Sequence, residues 1–401
     1  MSFEQMNGNI SAGCEARAWL HRVENHLQVS DWLLRYEQKL FEIIGTELSK
    51  PCCFLDAAAL LVNVFPFYGL VRSQARRWWP LLMDALNDAQ TLRDSEIQIL
   101  LLTQLGESYA MSGKPSAART AFELAAWRAG ERRLTEMWLA AYIGMVRLQT
   151  FYLNKNYDPE LLNKVANLMT ETQDALLIGM AQQTLATAYV FIEEWTLALE
   201  YSQAAFLYWL RVGETLYLAQ TAFLIAVIYR KMRRFALAKQ FFQLSRNASA
   251  NTGYVRHNGL SAYEQGVLSL EQQDYAAARN WFQSAYGAFK NLEGPYDIAM
   301  SHHSLGLAET GLGLLESARE NLIIGASYWE QLENDYELAN AYQALAYLEG
   351  RAGNIEAGLK WLEKADKVWG RVPSFITKRE RLRKAIDDTR NELLESPPGP
   401  H

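Results

Sequence analysis

The chain has 401 residues, half of them hydrophobic and 21% charged, so it can bury a substantial core and is not disordered by composition. Acidic residues outnumber basic ones 45 to 39, a net charge of −6 that argues against a nucleic-acid binder held by phosphate contacts. The three cysteines (Cys14, Cys52 and Cys53) imply no disulfide framework, and the adjacent pair reads as core-facing thiols of a reducing cytoplasm. No apolar run reaches the ~18–20 residues of a membrane span. The stretch from Phe54 to Val71 is cut by Asn63 and Pro66. The N-terminus lacks the basic and apolar regions of a signal peptide, so a cytoplasmic location is expected.

Taken in chain order, residues 1–29 read as an N-terminal helical cap and 30–95 as degenerate helix pairs, with helices at 31–49 and 72–89. Residues 96–370 carry a repeat. Apolar residues recur there at helical spacing, as in 181–232 and 260–279, and no alternating β-branched run suggests a sheet. Four columns of residues advance in steps of 40 or 80. Gly106, Ala186, Ala226, Gly266, Gly306 and Ala346 form the first, and Ala118, Ala198, Ala238, Ala278, Ala318 and Gly358 the second. Phe122, Ser202, Phe242, Phe282, Leu322 and Leu362 form the third, and Ala125, Ala205, Ser245, Ala285, Gly325 and Ala365 the fourth.

Two helices per repeat, A and B, explain the columns. Small residues let the pair approach closely, and large residues one turn away fill the space between pairs. Turns are expected at Gln272-Gln273-Asp274, Val212-Gly213-Glu214, Glu333-Asn334-Asp335 and Ala352-Gly353-Asn354. One diverged repeat occupies 140–175, where Asp158 should cap a helix that begins at Pro159. A charged helix over 371–395 should cap the end of the array, and 396–401 should be a disordered tail. The sum is about nine helix pairs.

Two aromatic columns need an account: Tyr201, Phe241, Trp281 and Trp361, and Trp209, Phe289, Trp329 and Trp369. Both fall on B helices, where core between neighbouring pairs is expected. The six histidines offer no metal spacing, since His302 and His303 are adjacent and His21 and His26 are five apart. No cofactor, structural zinc or catalytic motif is expected, and the chain reads as non-enzymatic. The basic run Arg230-Lys231-Met232-Arg233-Arg234 offers a face for an acidic partner.

The alternation of small, large and small residues, clearest in Leu105–Tyr109 through Gly113, Ala118 and Phe122 and in Gly266 through Tyr275, Ala278, Phe282 and Ala285, resembles the tetratricopeptide repeat (TPR). The period is similar to the 40-residue variant of MalT-like sensor regions. That resemblance implies an all-α, right-handed superhelix whose A helices line a concave groove that holds a peptide segment or partner protein. Carried over column by column, the groove would present Gln183, Thr187, Phe191, Gln220, Phe223, Arg230, Lys231, Tyr263, His303, Gln343, Tyr347 and Arg351. The carboxylate clamp of related chaperone-binding repeats is not expected, because Glu107, Thr187, Val227, Val267, Leu307 and Tyr347 occupy its positions and none is asparagine. The expected role is a protein-interaction scaffold. A ligand- or peptide-sensing module is the alternative.

Overall fold

The computed structural model describes residues 14–24, 30–65, 75–92, 95–111, 114–150, 158–249, 254–292, 294–372 and 378–395. The chain divides into two compact units, Met1–Tyr254 and Val255–His401. Every regular element among the described residues is a helix. The first unit contains α1 (Glu15–Glu24), α2 (Ser30–Leu48), α3 (Phe54–Phe65), α4 (Ala75–Leu92), α5 (Ser95–Met111), α6 (Pro115–Glu131), α7 (Thr135–Leu148), α8 (Pro159–Glu171), α9 (Ala175–Phe191), α10 (Trp195–Val212), α11 (Thr215–Lys231) and α12 (Phe235–Ser249). The second contains α13 (Val255–Glu271), α14 (Tyr275–Phe289), α15 (Pro295–Leu312), α16 (Leu315–Gln331), α17 (Asp335–Arg351), α18 (Ile355–Trp369) and α19 (Arg379–Glu395). The fold is an all-α helical repeat. The tail at 396–401 lies outside the described residues, as does the start of the expected N-terminal cap.

Helices pack as consecutive hairpins, with α5 against α6, α9 against α10 and α11 against α12 in the first unit, and α13 against α14, α15 against α16 and α17 against α18 in the second. Odd-numbered members from α3 to α17 are therefore the A helices and even-numbered ones from α4 to α18 the B helices. The repeat columns explain this pairing. The small residues of the second column are all buried, and Phe122, Phe242, Phe282 and Leu322 are sealed from solvent. A methyl group on Gly106 would lie 2.6 Å from the Phe122 ring, one on Gly266 2.5 Å from Phe282 and one on Gly306 2.5 Å from Leu322. Each of these three A-helix glycines is thus the hole that receives the B-helix large residue sixteen positions later. Where the large residue shrinks to Ser202, the opposing position is Ala186 rather than glycine.

The turns share one construction. The N–H groups of Leu134, Glu194, Glu214, Arg234, Asp274, Leu314, Asn334 and Asn354 each donate to the carbonyl five residues earlier, which satisfies a helix-terminal acceptor. The residue before each of these donors has positive φ: Arg133, Glu193, Gly213, Arg233, Gln273, Gly313, Glu333 and Gly353. All are separated by multiples of 20, so each repeat is two near-equal halves in backbone terms. The donor then serves as N-cap of the next helix, and Asp274 and Asn334 accept from Ala277 and Glu337 N–H. Asp158 caps α8 in the expected way, accepting from Glu160 N–H ahead of Pro159.

Two B helices also reach forward to the next A helix. Arg279 donates to the buried Glu309, which also accepts from Ser317 and Asn321. One repeat later Arg319 binds Glu349, with Asn354 in the place of the third donor. In the second unit α19 packs on α17 and α18. Leu393 lies over Gly350 and Gly358, and Arg383 and Arg390 both bind Asp366.

The aromatic columns separate. Trp209, Phe289 and Trp329 are buried, whereas Tyr201, Phe241, Trp281, Trp361 and Trp369 are half-buried. Trp209 stacks on Tyr217 of the following A helix at 4.5 Å, and Trp361 stacks on Tyr342 at 5.5 Å.

The cysteines depart from expectation. Cys14 and Cys53 form a disulfide, and Cys52 is exposed rather than core-facing. The cause is local: the turn between α2 and α3 folds back, with Cys53 N–H donating to Lys50 O, and presents Cys53 to the start of α1. A separation of 39 residues held no sequence signal for that pairing.

Candidate functional site

The A helices carry a second layer of contacts, polar and directed from one A helix to the next. In the first unit Arg147 of α7 binds Glu107 of α5. Gln183 of α9 donates to Gln220 of α11 at 3.0 Å and accepts from Thr221 at 3.3 Å. In the second unit Arg256 of α13 clasps the buried Asp297 of α15 with two bonds of 2.7 and 3.0 Å, a bidentate geometry. Tyr263 hydroxyl and Ser304 hydroxyl bond at 2.9 Å between the same helices. Asn340 of α17 reaches His303 of α15, and Gln343 of α17 donates to Thr389 of α19 at 2.7 Å. The partners on A helices sit 37 to 41 residues apart, within a turn of one repeat, because equivalent A helices lie side by side.

Each unit therefore presents its own A-helix face with amides, hydroxyls and charged groups in register. The expected groove residues divide between the two. Gln183, Thr187 and Gln220 are half-buried on α9 and α11, and Phe191 ends α9 with 45% of its surface exposed. Phe223 packs edge-on against Phe242 at 5.9 Å, as part of the helix-pair core. Arg230 is buried and Lys231 beside it is exposed, so the basic run is not one continuous face. In the second unit Tyr263 packs on Phe282 at 5.3 Å while its hydroxyl holds Ser304, and His303 is buried. Gln343 is half-buried, and Tyr347 and Arg351 are exposed.

Burial sets the protonation states. It lowers His303 to about 4, so the ring is neutral at neutral pH. Its Nε2 lies 3.5 Å from Asn340 Nδ2, and its buried Nδ1 meets no hydrogen-bond partner among the described residues. Burial also raises the Glu337 carboxyl above its ordinary range, an effect that the Asn340 amide and Lys378 partly offset. Tyr336 is raised to about 12 by burial and the neighbouring Glu337 charge, and burial lifts Tyr263 as well. Tyrosines on this face therefore act as neutral hydrogen-bonding groups.

Asn340 and Glu337 did not figure among the expected groove residues. Asn340 stands half-exposed, with its amide oriented by Glu337 and His303. Its signal is the 37-residue offset from His303, shorter than the repeat, which column matching at 40 passes over. Elsewhere, a cleft of about 210 Å³ between α2 and α4 is lined by Gly45, Ser49, Asp84 and Asp88, among others. It is below the roughly 300 Å³ of a drug-sized site. No described helix is long and apolar enough to cross a membrane.

No protein family model matches the sequence, and no curated protein is similar enough to match it. Solved structures share the fold. A Rap protein complexed with Competence and Sporulation Factor superposes with a TM-score of 0.55 at 13% identity, over 84% of this chain and 98% of that one. The apo form of the quorum sensor NprR from B. thuringiensis gives 0.53 at 15% identity, over 88% and 98%. Aspartyl phosphate phosphatase F from Bacillus subtilis gives 0.53 at 10% identity, over 92% and 97%. The chain has a TPR-like helical-repeat fold.

Proposed function

We propose that the chain is a non-catalytic regulator that binds a peptide segment along an A-helix face, and so acts through protein interaction. The observation that carries this is the run of oriented polar side chains linking successive A helices, flanked by the exposed rings of Phe191 in one unit and Tyr347 in the other. Amides such as Asn340 and Gln220 pair with the N–H and C=O of an extended peptide whatever its side chains, while the rings supply apolar anchorage. The likeness to a quorum sensor and to a Rap protein solved with its factor favours the sensing form of this role over a passive scaffold. Burial holds His303 neutral at neutral pH, and Arg256 engages the buried Asp297 carboxylate.

The same reading places the chain in the cytoplasm, in contact with neither nucleic acid nor membrane. Reducing conditions there would open Cys14–Cys53.

A pooled library of short synthetic peptides, read by thermal shift and then by fluorescence anisotropy for single hits, tests the proposal. Asn340→Ala should weaken a binder of the second unit at least tenfold, and Gln220→Ala a binder of the first. The variants should melt within a few degrees of wild type. A library without a single stabilising peptide, or hits indifferent to both variants, would refute it.

A further inference from the structure

The three cysteines come together at one point of the first unit, and a disulfide accounts for two of them. Cys14 is the residue before α1, and Cys53 precedes α3 and accepts from Ala57 N–H, so both occupy N-cap positions. Cys52 stands beside them. Its Sγ is 3.6 Å from Cys53 Sγ, its carbonyl oxygen is 3.5 Å from Cys14 Sγ, and it is exposed. Adjacent side chains of an extended strand point to opposite faces. Here the tight turn at 51–53 puts both sulfurs on one side, within 4.8 Å of the third.

That spacing matches a metal-thiolate site. Zinc–sulfur bonds are about 2.3 Å, so two sulfurs on one tetrahedral ion stand roughly 3.8 Å apart. The scaffold around the sulfurs is firm. Glu47, at the end of α2, accepts from Glu15 N–H at 3.0 Å and Ala16 N–H at 2.7 Å, which fixes the start of α1. Its carboxylate is committed to those bonds. The N-termini of α1 and α3 both face the cluster, and their dipoles favour the negative charge of thiolates. No histidine or carboxylate joins the three sulfurs among the described residues, so a fourth position faces solvent beside Cys52.

We infer that the reduced protein binds one thiophilic d10 cation of the Zn(II) kind through Cys14, Cys52 and Cys53, and that the disulfide is the closed form of this site. A thiol reductant delivers two electrons to the Cys14–Cys53 bond and leaves as its own disulfide, giving two cysteine thiols. On binding, the three thiols release three protons to solvent, and three S–metal bonds form with no further redox change. Soft thiolate ligands without a competing oxygen donor select such an ion over Mg(II) or Ca(II).

The test uses the full chain, reduced anaerobically with a phosphine and desalted. Zn(II) is titrated against a chromophoric chelator, Cd(II) is followed by its thiolate charge-transfer absorption, and native mass spectrometry gives the stoichiometry. The expected result is one ion per reduced chain, none on the oxidised chain, and at least tenfold weaker binding by Cys52→Ser, which keeps the Cys14–Cys53 pair and whose fold is checked by circular dichroism. Failure of the reduced wild type to take up either ion overturns the inference. So does equal affinity in Cys52→Ser, which would place Cys52 outside the ligands of the bound ion.

Discussion

At the scale of single residues, the turns carry unusual backbone strain. Arg133, Glu193, Arg233, Gln273 and Glu333 adopt the left-handed conformation that Gly213, Gly313 and Gly353 adopt without cost. Glu333→Gly should therefore stabilise the protein by about 0.5–1 kcal/mol, relief of strain outweighing glycine's larger freedom in the unfolded chain. Gly213→Ala should cost about 1 kcal/mol for conformational reasons alone, because its added methyl group meets nothing within 4 Å. Denaturant melts of the two variants should move in opposite directions. Glycine was legible in the sequence as a turn, and the charged residues standing in its place were not. Their half-repeat spacing of 20 shows only in the backbone, because A and B helices share length and closure but not side-chain pattern.

His303 supplies the pH dependence. Its folded value of about 4 lies below the ordinary 6.5, so the unfolded chain takes up a proton first as pH falls. Stability from this group is complete above about 6.5 and is lost as pH drops toward 4, a change on the order of 3 kcal/mol. His303→Gln should flatten the slope of stability against pH in that window. Unchanged slopes in urea melts between pH 4.5 and 7 would contradict the assignment. The sequence placed His303 on the groove because one column of a helix was projected outward. In fact α15 packs on both sides and buries Asp297, Ser301, Ser304, Glu309 and Thr310 as well as its apolar residues. An A helix covered by neighbours has no clean polar stripe, so helical periodicity cannot say which of its polar residues reach solvent.

At the scale of elements, the account rests on glycine holes filled by B-helix rings. Gly266→Ala would place a methyl group 2.5 Å from Phe282 and should cost roughly 1–3 kcal/mol. Adding Phe282→Leu should recover part of the loss, because the two residues share one space. Ala238→Leu and Ala278→Leu overpack the buried positions of the same pairs and should cost as much. This pairing was readable from sequence in full: small and large columns in one phase leave a single way to match helices. The polar links between A helices were not, since Arg256–Asp297 and His303–Asn340 depart from the 40-residue step by a residue or nearly a turn.

At the scale of the whole chain, a repeat array ends by exposing an apolar face, and α19 covers it in the second unit. Leu393→Ala would leave a void over Gly350 and Gly358 and should cost about 2–4 kcal/mol, read as an earlier thermal transition than wild type. A charged helix following the last repeat was foreseeable, and its contacts with α17 and α18 are seen in the structure. The cysteine cluster was not foreseeable, because Cys14 meets Cys52 and Cys53 only through the packing of α1 against α3. The proposed role, binding by A helices, follows from the repeat as a class, while the residues proposed to bind come from side-chain geometry.

The central claim is that ligand contact belongs to the A helices. Photo-crosslinking with a hit peptide that carries a photoreactive residue, mapped by mass spectrometry on the intact chain, tests it most directly. The account predicts adducts on α9 and α11 or on α15 and α17, at residues such as Phe191, Gln220, Asn340 and Tyr347. Adducts confined to the B helices α10, α12, α14, α16 and α18 would contradict it.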